Sequence, residues 1–453
     1  MERRSEWFRA GLLTLLEKGA GLVFSLGTTV LLLRGLSKED FAAWGLFLII
    51  TYTLEMGRNG LIQNGFIRFL NTHRQDNAAV SAISSAALFL SLCFSLISNV
   101  LLWASMSWIA ANFQSPQVLY VLPVYFLTNF VMALLYHCNF VQQANFEFRG
   151  IFWSTICFRG FLFAWVVFCK MMGYPMLLQH LAMAMLLGAL VGLFYTALYA
   201  RPYLQFSKRL NWTWVRVMLA YGKYVLGTNL SAMFYKSIDK LALGQLIGPA
   251  AFAVYDAAGK ITQLIEAPSF SIASVVFPQS AAHLEEQGVA GIQVLYERSV
   301  GAILAIILPF LITVLLFAEP IMLLFAGPKY LESANILRFT AFFGLFMPFA
   351  VQCGTILDAT GRPATNFAFT TATAVLNLGL SYVLIRNFGL FGAAYATLTG
   401  YSISFVWMQF FLNRHYGIRW WRAFGLVPWV YKTGYEMLLH KLRPAGVPQD
   451  GKI

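Results

Sequence analysis

Long apolar runs separated by short polar punctuation dominate the chain. Twelve runs reach the length at which a helix, rising 1.5 Å per residue, crosses about 30 Å of hydrocarbon. They cover residues 10–33, 41–60, 78–103, 118–142, 150–170, 175–199, 217–246, 249–279, 298–318, 333–356, 364–385 and 391–412. Beyond Leu412 the pattern changes. Trp420, Trp421, Trp429 and Tyr431 alternate with Arg419, Arg422, Lys432 and Lys441, with Pro428 and Gly434 interrupting. This pattern predicts one or two amphipathic pieces in the cytoplasmic interface, with a thirteenth span as the alternative. The last ten residues, PAGVPQDGKI, are expected to be disordered.

Composition narrows the class. Hydrophobic residues make up 59% of the 453 and charged residues 11%, against roughly 45–50% and about 25% in soluble domains. The mean hydropathy is +0.66. These values exclude a disordered chain, a disulfide scaffold, a coiled coil and a nucleic-acid-binding domain. They predict an all-α integral membrane protein of about twelve transmembrane helices. The five cysteines, Cys93, Cys138, Cys157, Cys169 and Cys353, all lie inside apolar runs, which argues against a disulfide framework.

The net charge of +13 follows a topology. With the N-terminus inside, twenty Lys and Arg fall on the cytoplasmic side. Five fall outside: Arg34, Lys38, Lys170, Lys329 and Arg386. That asymmetry places both termini in the cytoplasm and supports an even number of spans. No small-residue cleavage site follows the first run, so it reads as a retained helix. An internal repeat aligns Leu32–Thr51 with Leu243–Thr262 at an offset of 211 residues, matching Phe41 with Phe252, Ala42 with Ala253 and Trp44 with Tyr255. Two six-helix lobes of the same orientation are expected, residues 1–205 and 206–412, followed by a cytoplasmic interfacial tail, 413–453. Duplicated halves with a site between them recur in transporters.

Seven basic residues remain within spans: Lys18, Arg159, Lys223, Lys236, Lys240, Lys260 and Arg338. Five acids join them: Glu17, Glu55, Asp239, Asp256 and Glu266. Each would cost on the order of 2.5–3.5 kcal/mol facing lipid at mid-membrane. Most must therefore face the interior, pair or snorkel. Lys223 and Arg338 lie near helix ends and can snorkel. Glu55 and Arg58, three residues apart near the inner end of the second run, read as an interfacial pair. Asp256 and Lys260 share a helix face. The short turn Ile247–Pro249 also brings Lys240 to the depth of Asp256, so an ion pair between neighbouring helices competes with a functional role.

Arg159, Lys236, Lys240, Lys18 and Lys260 are the candidate substrate-binding residues, a cationic cavity lining suited to phosphate or pyrophosphate. Glu17, Asp239, Asp256 and Glu266 are candidates for ion or proton coupling, or for holding the cations in place. His137 and His180 fit packing or a proton relay. No catalytic, metal-binding or cofactor motif is found, and no large outer loop that could build an active site.

Four stretches resemble the polysaccharide transporter, or Wzx-type flippase, family within the multidrug/oligosaccharidyl-lipid/polysaccharide exporter superfamily. They are LLLRGLSKEDFAAWGLF, SIDKLALGQLIGPAAFAVYDAAGKI, GPKYLESANILRF and GRPATNFAFTTATAVLNLGLSYVLIRNFGLFGAAYAT. The resemblance covers residues 9–415 or so. It implies two lobes around a central cavity and alternating access. The substrate it implies is an undecaprenyl-pyrophosphate-linked oligosaccharide, such as an O-antigen unit of lipopolysaccharide. That lipid would be turned from the inner to the outer leaflet of a bacterial inner membrane. Helices one and seven line the cavity in such proteins, which fits Glu17, Lys18, Lys236, Asp239 and Lys240. The resemblance further implies a monomer beside glycosyltransferases and a polymerase, membrane lipids as surroundings, and coupling to a proton or sodium ion. The twelve spans differ from the fourteen typical of lipid II flippases. Two other readings remain: a multidrug-type cation antiporter, whose cavity should be net acidic, and an integral-membrane enzyme of glycan assembly.

Overall fold

The structure is a computed structural model that describes residues 2–442. The expected disordered segment at the C-terminus lies outside the described residues. Among those residues every regular element is helical. The thirteen α-helices are α1 (Glu2–Gly35), α2 (Lys38–Thr72), α3 (Asn77–Asn112), α4 (Val118–Ala144), α5 (Arg149–Met172), α6 (Leu178–Ala200), α7 (Trp212–Leu246), α8 (Pro249–Phe325), α9 (Ser333–Ala341), α10 (Met347–Ala359), α11 (Pro363–Phe388), α12 (Leu390–Tyr416) and α13 (Trp420–Leu442).

The twelve expected spans are recognisable, with two changes of form. The eighth and ninth are halves of the 77-residue α8, broken at Gly288 with φ 62° and ψ −149°. Only glycine adopts that backbone without strain. The tenth is itself interrupted: α9 and α10 flank a 3-10 turn at Phe342–Leu345. Among the described residues eight helices are long and apolar enough to cross a membrane by length and composition. The others include α2 and α7, which hold Glu55, Lys223, Lys236, Asp239 and Lys240. A multi-pass membrane protein follows.

Helix ends follow local chemistry. Ser37 caps α2 by accepting from the Asp40 backbone N–H at 3.0 Å. Asp76 caps α3 by accepting from Ala78 and Ala79 at 2.9 and 3.1 Å. Each satisfies donors that the first turn of a helix leaves open. The repeat is visible in these boundaries. α1 ends at Gly35 and α2 begins at Lys38; α7 ends at Leu246 and α8 begins at Pro249. Phe41 and Phe252 are both 2% exposed, and Phe252 lies against Gly45, where an added Cβ would come within 2.6 Å of its ring.

The Cα positions cluster into two compact units, 1–256 with 325–329, and 257–324 with 330–453. In the first, α2 and α7 approach closely. A Cβ on Gly222 of α7 would lie 1.9 Å from the Leu61 carbonyl oxygen. Small residues let helix backbones meet where lipid offers no hydrophobic drive. Segment 325–329 brings Lys329 to the end of α1, where its ammonium donates to the Leu36 carbonyl. Burial and the neighbouring Lys38 push the Lys329 pKa below the ordinary lysine value.

In the second unit the core includes Tyr296, Val300 and Leu304 of α8, Phe349 and Cys353 of α10, Met408 and Leu412 of α12, and Ala423 and Val427 of α13. The tail is a single helix with Pro428 inside it. It runs lengthwise along the second half of α8. The Arg419 N–H donates to Glu297 at 3.1 Å, the Ala423 carbonyl lies against Gly301, and the Tyr431 hydroxyl donates to the Ala305 carbonyl.

Gly222→Ala forces α2 and α7 apart. It should cost about 1–3 kcal/mol, as overpacking does, and lower the melting temperature of the purified protein in detergent. An unchanged melting temperature would contradict the packing described here.

Candidate functional site

Among the intramembrane charges of the first unit, the exposed ones are basic, whereas the acids are buried or half-buried, as are the cations Arg58 and Lys240. Lys18, Arg159, Lys223 and Lys236 are exposed, whereas Glu55, Asp239 and Asp256 are buried and Glu17 is half-buried. Arg159 lies near the middle of α5. It donates from Nη1 to the Gly21 carbonyl of α1 at 3.1 Å. One turn earlier on α5, Thr155 donates to the Glu17 carboxylate at 3.1 Å. The two bonds pin α5 to α1 and fix where the Arg159 guanidinium begins. Glu17 thus ties α1 to α5, and Lys18 beside it is exposed.

The turn at Ile247–Gly248 does what its length requires. Gly248 adopts φ 126° and its N–H closes on the Leu243 carbonyl at 3.0 Å. α8 folds back along α7, and Lys240 forms an ion pair with Asp256. The side chains are 12% and 3% exposed, so the pair is largely buried. One residue earlier on each helix, the Tyr255 hydroxyl donates to Asp239 at 3.5 Å. Lys240, Asp239 and Asp256 thus share one α7–α8 seam, and Lys236 is exposed one turn away. Lys260 and Glu266 are half-buried on the part of α8 that belongs to the second unit.

A polar cluster around Arg58 includes none of the candidate substrate-binding or coupling residues. Arg58 of α2 is 1% exposed, among the largest fully buried side chains of the protein. Its Nη1 donates to Ser95 Oγ at 3.3 Å and to the carbonyl and Oδ1 of Asn129, each at 3.1 Å. Asn129 donates in turn to Ser98 Oγ at 3.0 Å and Asn99 Oδ1 at 2.9 Å. The guanidinium carbon lies 5.2 Å from the Tyr136 ring centroid, a cation–π distance. The Tyr136 hydroxyl donates to Glu55 Oε2 at 3.2 Å.

The expected interfacial pair of Glu55 and Arg58 is therefore replaced by a buried relay. α2 continues fourteen residues past Arg58 to Thr72, so Arg58 lies inside a helix that outlasts the apolar run. Tyr136 stands between the two charges. Arg159 lies within electrostatic range of Glu55, Tyr52 and Tyr136. A signal was present in α3: Ser84, Ser91, Ser95 and Ser98 recur at helical spacing on one face of an apolar helix, and all are buried. His137 is buried between Phe66 and Phe206, with ring centroids 5.7 and 5.8 Å away, the packing alternative for that residue.

A family model described as polysaccharide biosynthesis protein matches residues 31–335. Among curated relatives, a probable low-salt glycan biosynthesis flippase of Haloferax volcanii is 25% identical over 201 residues, 44% of this chain and 42% of the relative. The chain spans about two fifths of the length of the curated relatives it matches. An inward-facing multidrug resistance MATE transporter of the MOP superfamily superposes with TM-score 0.75 at 16% identity, covering 88% of this chain and 98% of that one. A lipid II flippase, MurJ, in an inward closed conformation superposes with TM-score 0.76 at 13% identity, covering 95% and 93%. At these identities the likeness establishes the fold, that of MOP-superfamily transporters.

Removing one partner of the α7–α8 ion pair strands a buried charge, which costs about 3–5 kcal/mol. Lys240→Ala or Asp256→Ala alone should sharply reduce the amount of folded protein in the membrane. The double exchange Lys240→Asp with Asp256→Lys should restore much of it. A double exchange as poor as the singles would show that the pair is not the stabilising feature.

Proposed function

The chain belongs to the polysaccharide biosynthesis protein family, and on that footing we propose that it flips a lipid-linked oligosaccharide across the membrane by alternating access. The observation that carries the reading is the sorting of charge in the first unit: its exposed intramembrane charges are basic and its acids are buried or half-buried. A cation left exposed in the middle of α5 would cost on the order of 2.5–3.5 kcal/mol against lipid. Water or an anionic ligand removes that cost. Arg159 and Lys236 are the residues proposed to grip the phosphate oxygens, Arg159 with the planar fork that suits a pyrophosphate. Lys18 of α1 and Lys260 of α8 are proposed as further cations for the substrate. Lys240 is proposed to act structurally through Asp256.

The cargo is proposed to be an undecaprenyl-pyrophosphate-linked repeat unit of a surface glycan such as O-antigen, moved from the inner to the outer leaflet of a bacterial inner membrane. Both termini are then cytoplasmic, with the basic, tryptophan-rich face of α13 at the inner interface. The protein is proposed to act as a monomer beside glycosyltransferases and a polymerase. Asp239 and Glu266 are held as coupling candidates for a proton or sodium ion. The charge sorting disfavours the cation antiporter, whose substrates need exposed acids.

A strain lacking the protein should accumulate lipid-linked repeat units on the cytoplasmic leaflet and lose surface glycan. Complementation with Arg159→Ala or Lys236→Ala should restore less than about a tenth of the glycan at normal protein level, while Arg159→Lys and Lys236→Arg restore part. Repeat units that reach the outer leaflet but stay unpolymerised in the deletion strain would instead mark an enzyme of assembly. Altered drug sensitivity with normal glycan would mark an antiporter.

A further inference from the structure

Glu55 has features that fold stability alone does not require. It is 7% exposed and accepts one hydrogen bond, from the Tyr136 hydroxyl. The nearest cation, Arg58, directs Nη1 at Ser95 and Asn129, and its Nε and Nη2 have no hydrogen-bond partner among the described residues. Those two buried donors lie in a cluster whose carboxylate is bound to a phenol instead of to them. A stabilising ion pair would close that gap, as Lys240 and Asp256 do.

We propose that Glu55 is the proton-binding switch of the anion site: taking up a proton removes the negative charge that Arg58 and Arg159 otherwise neutralise, and so raises affinity for a pyrophosphate headgroup. The proposal rests on the transport reading above and adds to it a residue and a sign. With Glu55 ionised, the group of Glu55, Arg58 and Arg159 carries a net charge of about +1. With Glu55 protonated it carries about +2. An anion binds the second state more tightly, and by linkage its binding draws in a proton at Glu55.

Among the described residues the groups facing Glu55 are few and none competes for that role. From α2 itself come Tyr52 and Arg58, from α4 the phenols of Tyr125 and Tyr136, and from α5 Arg159. α3 adds only the uncharged Ser95, Ser98 and Asn99 through the Arg58 network. α7 adds Asn229, which donates to the Met56 carbonyl at 3.2 Å. Glu55 is the single acid of this group. Tyr52, one turn away and 42% exposed, gives the buried carboxyl a hydroxyl neighbour at the surface, on the side where Arg159 is exposed.

The test measures binding of undecaprenyl pyrophosphate, a probe with the carrier headgroup and no sugar, to the purified full-length protein between pH 5.5 and 8.5. Ionisation of the probe itself is common to all variants and cancels between them. Relative to Glu55→Gln, the wild type should lose about tenfold in affinity from the acid to the alkaline limb. Glu55→Gln should bind at alkaline pH about as tightly as the wild type does at acid pH. Tyr136→Phe keeps the carboxyl and removes its donor, and should move the midpoint to higher pH by about one unit. The same pH profile in Glu55→Gln and the wild type overturns the proposal. If Glu55→Gln does not fold, an unshifted midpoint in Tyr136→Phe overturns it equally. Wild-type protein that fails to bind the probe at any pH overturns the transport reading itself, whereas tight binding that is indifferent to Glu55 leaves that reading standing and removes only the switch.

Discussion

Arg58 sits where water cannot hydrate it, so the protein has to act as its solvent. An ion moved from water to a low-dielectric interior loses several kcal/mol even after relaxation. In return the structure offers one carbonyl, one amide oxygen, one hydroxyl and the face of a phenol. Meeting that need draws α2, α3 and α4 to one point. It also explains why α3, apolar overall, keeps a buried seam of serines and Asn99. Asn129 is the pivot, accepting from the arginine on one side and donating to α3 on the other. These bonds fix α2, α3 and α4 around this residue, whereas α5 and Arg159 are held through α1.

The same constraint is met differently at the α7–α8 seam. Lys240 and Asp256 are brought together by a turn too short for any other path, and each supplies the countercharge the other needs. Such a pair is neutral and largely buried. Arg159 is its opposite. It is held by a backbone carbonyl, which orients it without cancelling its charge. The family match and the likeness of fold say nothing of these two kinds of charge. It is the partners that separate one kind from the other.

Much of this was legible in the chain. The twelve apolar runs locate the helices because a lipid-embedded backbone has to bond to itself, and a helix is the one way a single segment can do so. The Lys240–Asp256 pair could be read because the turn between α7 and α8 is so short that helical rise alone sets which residues are level. The repeat reappears in the matched boundaries of α1–α2 and α7–α8. What escaped was anything set by a third helix. Arg58 looked interfacial because the apolar run stops near it, yet α2 runs on to Thr72 and packing by α3 and α4 covers the charge. The run at 333–356 stays apolar through residues 339–351, so its break into α9 and α10 around Phe342–Leu345 leaves no trace in hydropathy. The boundary between the two spans of α8 falls at Gly288, in a polar stretch that reads as a loop but is helical on either side of that glycine. The tail carried an amphipathic signal, while its alignment along α8 depends on contacts at Glu297, Gly301 and Ala305 that no local pattern encodes.

The relation between Glu55 and its neighbours then bears on how a transporter of this fold could tell a loaded state from an empty one. A buried carboxylate paired directly with an arginine holds its charge too firmly to report on anything; a carboxylate in open water reports on nothing but bulk pH. Glu55 lies between these limits, bound by one neutral hydroxyl and flanked by two guanidiniums that other groups hold in place. Its charge is balanced through space and not by contact, so an anion approaching Arg159 changes the field at Glu55 without having to break a bond first. A coupling of one to three kcal/mol is enough to shift the balance between two states by roughly five- to 150-fold. The fixed positions of Arg58 and Arg159 are what make this possible: a cation free to move would follow the carboxylate and erase the difference between its two forms.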